Sequence, residues 1–318
     1  MRDLDSARRH MLFRFSGHET FPCRYAWLPK AFRALSANGR AFAEEEAAIV
    51  ELGVGKNMVR AMRFWVLVAG VAEPANGAYD ITDFGRAIFD EEGFDPYLED
   101  VRTLWLIHWQ LSSHVDEPLF AWNFLLNRWQ HPEISRTEVL RAFRQEADKL
   151  DRKLSDVTLQ QHFDTFLHTY VPTRSPKGDL REDNLDCPLV ELELILKVGE
   201  RILDKNGKRE VVYAFRREPK PDITPELFLY CLQDFWQKNH PTERSLSFRD
   251  VAVLPGSPGQ IFKLPESDIR DRLEHISEDS NGMYQYRDSA AMQQITRRED
   301  VMTQNFLESV YHPEVLHD

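Results

Sequence analysis

Apolar side chains recur every three to four residues over most of this chain, the period of helices with one buried face. The clearest case runs from Lys56 to Ala69. On a helix, Met58, Ala61, Met62, Trp65, Val66 and Ala69 cluster on one side, and Lys56, Arg60 and Arg63 fall opposite. Upstream, Ala47, Ile49, Val50 and Leu52 suit a preceding helix, and Gly53-Val54-Gly55 suits a tight turn that glycine permits. Downstream, Asn76-Gly77 signals a two-residue hairpin and Tyr79 to Thr82 its returning strand. Thr82 can cap a helix through Ala87, Ile88 and Phe89. Helix, turn, helix, hairpin, helix is the order of a winged helix-turn-helix.

The pattern stays helical through the middle. Val101, Leu104, Trp105, His108 and Leu111 share one face, and Leu119, Trp122, Leu126 and Trp129 another. His108, on an apolar face, reads as a hydrogen-bonded core histidine. Ser135 and Glu138 have capping-box spacing ahead of Val139, Leu140, Phe143, Ala147 and Leu150. Leu159, Phe163, Phe166 and Tyr170 mark a further helix, stopped by Val171-Pro172. Period-two alternation then predicts a strand over Leu189 to Lys197, and a hairpin over Ile202 to Arg217 turning at Asn206-Gly207.

A C-terminal helix opens at Thr224-Pro225, with proline at the first helical position. A second helix covers Glu266 to Ile276. Met283 to Arg287 resembles a wing strand, and Ala290 to Ile295 a short helix. The chain therefore reads as mainly α (α+β). Four stretches follow: residues 1–98, an N-terminal arm and winged helix-turn-helix; 99–176, a helical middle region; 177–222, an acidic loop and β-hairpin; and 223–318, a C-terminal winged-helix-like module.

Charge sharpens this picture. The 318 residues carry a formal net charge of −12, so any surface for nucleic acid must be local. Residues 1–65 hold eleven Arg and Lys against seven Asp and Glu, which leaves −16 for the remainder. An apolar stripe backed by cations is what a helix needs to sit in a core and meet phosphates. Lys56, Asn57, Arg60 and Arg63 are the expected DNA contacts, unless they form only a solvated face. In the C-terminal module, Arg270 and Arg272 sit among Asp268, Asp271 and Glu274, a mixture better suited to a protein or homodimer surface. Cys23, Cys187 and Cys231 lie far apart and suggest neither zinc ribbon nor disulfide framework. No apolar run reaches membrane-spanning length and no signal peptide precedes Phe13, so a cytoplasmic protein without a membrane partner is expected.

Two clusters could carry phosphodiester chemistry, which uses carboxylates holding a divalent cation. One is Asp179, Glu182, Asp183, Asp186, Glu191 and Glu193. On a strand, Glu191 and Glu193 would share a face. Asp183 and Glu191 are then candidate catalytic groups, and Asp183, Asp186 and Glu191 candidate ligands for Mg²⁺ or Mn²⁺. The bland alternative is a solvated acidic loop. The other cluster is the arm's His18-Glu19 with Arg24, Tyr25 and Lys30. His18 and Glu19 could act as acid or base, and Arg24 and Lys30 could touch phosphates, or the arm could simply pack by its aromatics. No Ser-His-Asp order, P-loop or dinucleotide fingerprint occurs.

Phe-Ser-Gly-His-Glu-Thr-Phe-Pro-Cys-Arg-Tyr-Ala-Trp-Leu-Pro-Lys-Ala from Phe15 and Leu-Gly-Val-Gly-Lys-Asn-Met-Val-Arg-Ala-Met-Arg-Phe-Trp from Leu52 resemble a bacterial family associated with DNA phosphorothioation. Asp-Cys-Pro-Leu-Val-Glu-Leu from Asp186 resembles a third stretch of it. Members sit beside sulfur-transfer genes and serve as the DNA nickase of Ssp-type systems. The resemblance implies a nick in one strand of duplex DNA, giving modification enzymes access to a backbone phosphate. It implies a cysteine desulfurase, an ATP-pyrophosphatase-type sulfurtransferase and an ATPase as associates. It assigns no catalytic residues. A non-catalytic DNA-binding adaptor, or a protein-binding scaffold, remains open on the residues alone.

Overall fold

The computed structural model describes residues 12–172, 187–203, 209–289, 292–298, 301 and 305–316. The chain is mainly helical with small antiparallel sheets. It divides into two compact units, one of Met1–Trp122 with Gln130–Phe215 and the other of Asn123–Trp129 with Arg216–Asp318.

The first unit opens with an arm whose Arg14 bridges to Leu119. Helices α1 (Trp27–Ala37), α2 (Glu45–Leu52) and α3 (Lys56–Val68) follow. Gly53 ends α2 in the left-handed region (φ 60), as the Gly-Val-Gly turn requires. Strands β1 (Ala72–Ala75) and β2 (Ala78–Ile81) pair from Ala72↔Ile81 to Ala75↔Ala78. Asn76 and Gly77 turn between them with φ 46 and 80, the two positive angles of a type I′ turn. Thr82 caps α4 (Asp83–Phe89) by accepting from Gly85 N at 2.9 Å. Thus the expected helix, turn, helix, hairpin, helix order is present.

Helices α5 (Val101–Ser112) and α6 (Phe120–Asn127) supply the tryptophans of the core. Trp65, Trp105, Trp109 and Trp122 are fully buried. His108 Nδ1 lies 2.7 Å from Tyr170 Oη, which accepts from Trp122 Nε1 at 2.9 Å, so His108 is the bonded core histidine expected. The helices α7 (Arg136–Lys149) and α8 (Asp156–Tyr170) pack beneath. The capping box at Ser135 does not form: its hydroxyl bonds the Glu138 side chain. Glu210 caps instead, its carboxylate accepting from Thr137 N at 2.7 Å, where a helix start favours an anion.

Strands β3 (Ile134–Ser135), β4 (Ile195–Ile202) and β5 (Arg209–Phe215) form a sheet in the order β3-β5-β4. The strand expected from Leu189 begins only at Ile195. Pro188–Leu192 form a 3-10 turn, which proline at its start favours, and Glu193 follows at φ 47.

The second unit runs α9 (Pro225–Asn239), β6 (Ser245–Ser247), α10 (Phe248–Val253), α11 (Pro258–Ile261), α12 (Glu266–Asp279), β7 (Tyr284–Ser289), β8 (Met292–Arg297) and α13 (Phe306–Tyr311). Its sheet order is β6-β8-β7. Of the helix expected over Ala290 to Ile295, Ala290 and Ala291 lie outside the described residues, and from Met292 the chain is instead strand β8, whose backbone pairs on both sides, with Ser245–Ser247 and with Tyr284–Ser289. Ile295, fully buried, anchors it. Two lysines are buried here. Lys220 Nζ donates to Arg216 O at 2.9 Å, Glu218 O at 3.1 Å and Lys263 O at 3.4 Å. Lys263 Nζ donates to Leu126 O.

Candidate nucleic-acid interface

Helix α3 has the two faces its sequence requires. Ala61, Met62, Trp65, Val66 and Ala69 are buried, as are Val59, Phe64 and Val68. Met58 is only half-buried. Lys56 and Asn57 are exposed, and Arg60 and Arg63 half-exposed. The turn before the helix is open, since a Cβ at Gly53 or Gly55 would meet nothing.

Two of these cations are engaged by an acid from the neighbouring helix. Glu45, first residue of α2, places one carboxylate oxygen 2.8 Å from Lys56 Nζ and the other 2.6 Å from Arg60 Nε. Hydrogen bonds from both cations hold its carboxyl below the usual carboxylate range. Sequence spacing along α3 could not reveal this, because the acid comes from the neighbouring helix. The short turn that sets α2 against α3 is the signal that could have found it. Arg63 makes no ion pair or hydrogen bond among the described residues. Exposed pairs like those of Glu45 are weak and exchangeable, so a phosphate can compete for both cations.

The arm packs across α3. Trp65 Nε1 donates to Phe21 O at 3.0 Å, and Arg24 lies over the rings of Phe21 (5.7 Å) and Trp27 (5.5 Å). Lys30 is half-exposed on α1. The residues from Gly17 to Thr20 form a tight turn rather than an extended segment: φ is 112 at Gly17, 49 at Glu19 and 66 at Thr20. A Cβ at Gly17 would sit 2.7 Å from Phe64 Cδ2, so only glycine fits.

That turn drives His18 inward to 3% exposure and leaves Glu19 half-exposed. His18 Nε2 lies 3.2 Å from His162 Nδ1, with the rings stacked. Backbone N–H groups face both outer nitrogens, Ala121 at His162 Nε2 (3.0 Å) and Thr20 at His18 Nδ1 (3.1 Å). Thr165 Oγ1 also lies 3.1 Å from His18 Nδ1. Two neutral rings already bring two protons to four nitrogens, and an added proton finds few acceptors. Burial pushes His18 down to about 4, and burial followed by the charge of His18 pushes His162 well below its ordinary value. His162 is the partner sequence reasoning missed; nothing in its spacing pointed to His18.

The acidic cluster is only partly described. Asp179, Glu182, Asp183 and Asp186 lie outside the described residues. Glu191 and Glu193 are exposed, on and just after the 3-10 turn, rather than side by side on a strand. Among the described residues, no three His, Cys, Asp or Glu side chains gather as a metal would need. Nor is any described helix long and apolar enough to cross a membrane.

Two crystal structures resemble this fold, both of SspB, one of them magnesium ion-bound. Each matches 97% of this chain and 88% of its own, with a TM-score of 0.79 and 26% sequence identity. No curated protein sequence matches significantly. Residues 15–311 match the profile of a family described as a protein of unknown function, DUF4007. Since that match takes in both the arm and α3, and nearly everything after them, the chain belongs to the DUF4007 family.

Proposed function

We propose that this protein binds duplex DNA through α3 and the arm, and nicks one strand in support of phosphorothioate modification. The observation that carries the reading is the likeness to SspB over 97% of the chain. Arg63, whose side chain has no partner among the described residues, and the open glycine turn ahead of α3 support the DNA-binding half. Lys56, Asn57 and Arg60 would join Arg63 on phosphates, with Arg24 and Lys30 alongside. A cysteine desulfurase, a sulfurtransferase, an ATPase and a second copy of the chain are the proposed associates. The magnesium ion-bound SspB supports dependence on Mg²⁺ or Mn²⁺. The described residues do not themselves form a fitting metal site, so no catalytic step is derived through one.

A non-catalytic adaptor is the second reading. It is favoured by His18, whose ring is enclosed by His162, Thr20 and Thr165 rather than open to substrate. Supercoiled plasmid separates the two. Metal-dependent open circles, lost in Asp183→Ala or Glu191→Ala, support nicking. Salt-sensitive binding with no open circles under any metal supports the adaptor. Arg63→Glu should weaken binding at least tenfold at low salt with the thermal transition unchanged; unaltered affinity would remove α3 from the interface.

A further inference from the structure

The first unit holds a cavity of about 690 Å³ lined by neither the arm nor α3. The last turn of α8, the sheet of β4 and β5, and the 3-10 turn line it. Its size lies within the roughly 300–1,000 Å³ of small-molecule sites. Leu167 and Val211 are among its apolar walls. Five residues with polar side chains line it, His168, Tyr170, Glu193, Lys197 and Tyr213, of which Tyr170 is already bonded to His108 and Trp122. Tyr213 and Lys197 are direct cross-strand partners, so phenol and ammonium stand side by side on one sheet face. Glu193 enters from the left-handed residue that closes the 3-10 turn. Asp164, engaged by the Arg136 guanidinium, lies behind His168 and Tyr213.

His168, Tyr213 and Glu193 make no hydrogen bond or ion pair among the described residues. His168 and Tyr213 are half-buried, and groups so placed ordinarily find partners, while Glu193 is exposed at the edge. Here a neutral imidazole, a phenol and a carboxylate leave their bonding capacity at the rim of an apolar chamber. Lys197 alone is engaged, 3.0 Å from Glu200, an exposed pair that a phosphate can displace.

We propose that this cavity binds a single nucleotide whose base carries an exocyclic amine. A planar ring suits apolar walls flanked by Tyr213 and His168. The Glu193 carboxylate can only accept, which matches the exocyclic amine of adenine, guanine or cytosine; thymine offers it only an N3–H flanked by two carbonyl oxygens that repel it. Lys197 at the rim is placed for the phosphate. The nucleotide has two sources, free in solution or turned out of a strand as in enzymes that extrude a base.

The test uses the full chain and two probes. The first is titration with dAMP, dGMP, dCMP and dTMP. The second is a duplex carrying 2-aminopurine, which itself bears an exocyclic amine, followed by fluorescence. Amine-bearing mononucleotides binding at least tenfold tighter than dTMP, with the preference cut below threefold in Glu193→Gln, support a free ligand. A twofold or greater fluorescence rise on binding, lost in Glu193→Gln and weakened in Tyr213→Phe, supports an extruded base. Both variants should keep the wild-type thermal transition. Neither signal, or signals indifferent to Glu193→Gln and Lys197→Ala, overturns the proposal. DNA binding that persists without either signal would sink the cavity reading alone. Mononucleotide binding by a chain that ignores DNA would sink the interface on α3 alone.

Discussion

His18 sits at the end of a two-ring chain whose outer nitrogens already face backbone donors, so it resists protonation. The sign of the pH effect follows. An unfolded histidine takes a proton near pH 6.5, whereas folded His18 holds off until about 4. Between those values the unfolded chain binds more protons, and stability falls as pH falls. Urea unfolding at pH 7 and pH 4.5 should differ by roughly 2 kcal/mol from this group. The difference should shrink in His162→Gln. Gly17→Ala tests the same turn from its backbone. A methyl group 2.7 Å from the Phe64 ring, at a φ of 112, should destabilise by about 1–3 kcal/mol at any pH. Adjacent letters in the chain showed His18 and Glu19 together; they could not show that three positive φ values would send one in and leave the other near the surface.

At the scale of elements, α3 was legible because its period is local and strong, and the hairpin because Asn-Gly admits few alternatives. The strand over Leu189 to Lys197 was misjudged because alternation cannot distinguish five residues of 3-10 turn from extended backbone when Pro188 sets the first φ. The helix over Ala290 to Ile295 was misjudged for the opposite reason: pairing on both edges of β8 is a long-range fact and overrides local preference. The candidate site was half visible. Its cations are visible in the sequence, while Glu45, which holds two of them, depends on how two helices cross. Glu45→Gln should release Lys56 and Arg60 together. DNA affinity at 50 mM salt should rise severalfold, and the slope of log K against log salt should steepen by about one to two contacts. A gel-shift series across salt reads both, and an unchanged slope would place these cations away from phosphate.

Across the molecule, −12 of net charge hides an uneven layout. The second unit repeats helices followed by a strand pair, yet the two arginines of α12 are internally matched. Arg270 pairs with Asp288, and Arg272 with Asp268 at 2.8 Å while also donating to Ile223 O. Arg270→Glu should therefore leave DNA affinity within about twofold, in contrast to Arg63→Glu, when both are measured on one duplex. The mixed-charge reading of that stretch could be made from sequence, since its acids and bases alternate along a single helix. The buried lysines could not, because Lys220 and Lys263 reach carbonyls supplied by distant segments.

Those lysines carry an alkaline consequence. Burial brings the Lys220 ammonium down to about 8, and that of Lys263 lower than its ordinary value. Above pH 8 the folded amine is already uncharged while the unfolded one keeps its proton, so raising the pH toward 10 should strengthen the second unit by on the order of 2 kcal/mol. Beyond that, ionisation of the unfolded Tyr284 phenol, which burial suppresses in the fold, turns the trend around. Denaturation of Lys220→Met should show a flatter profile over the same range. Mild base, which loosens proteins pinned by surface ammonium groups, would leave this half of the chain harder to unravel than at neutrality.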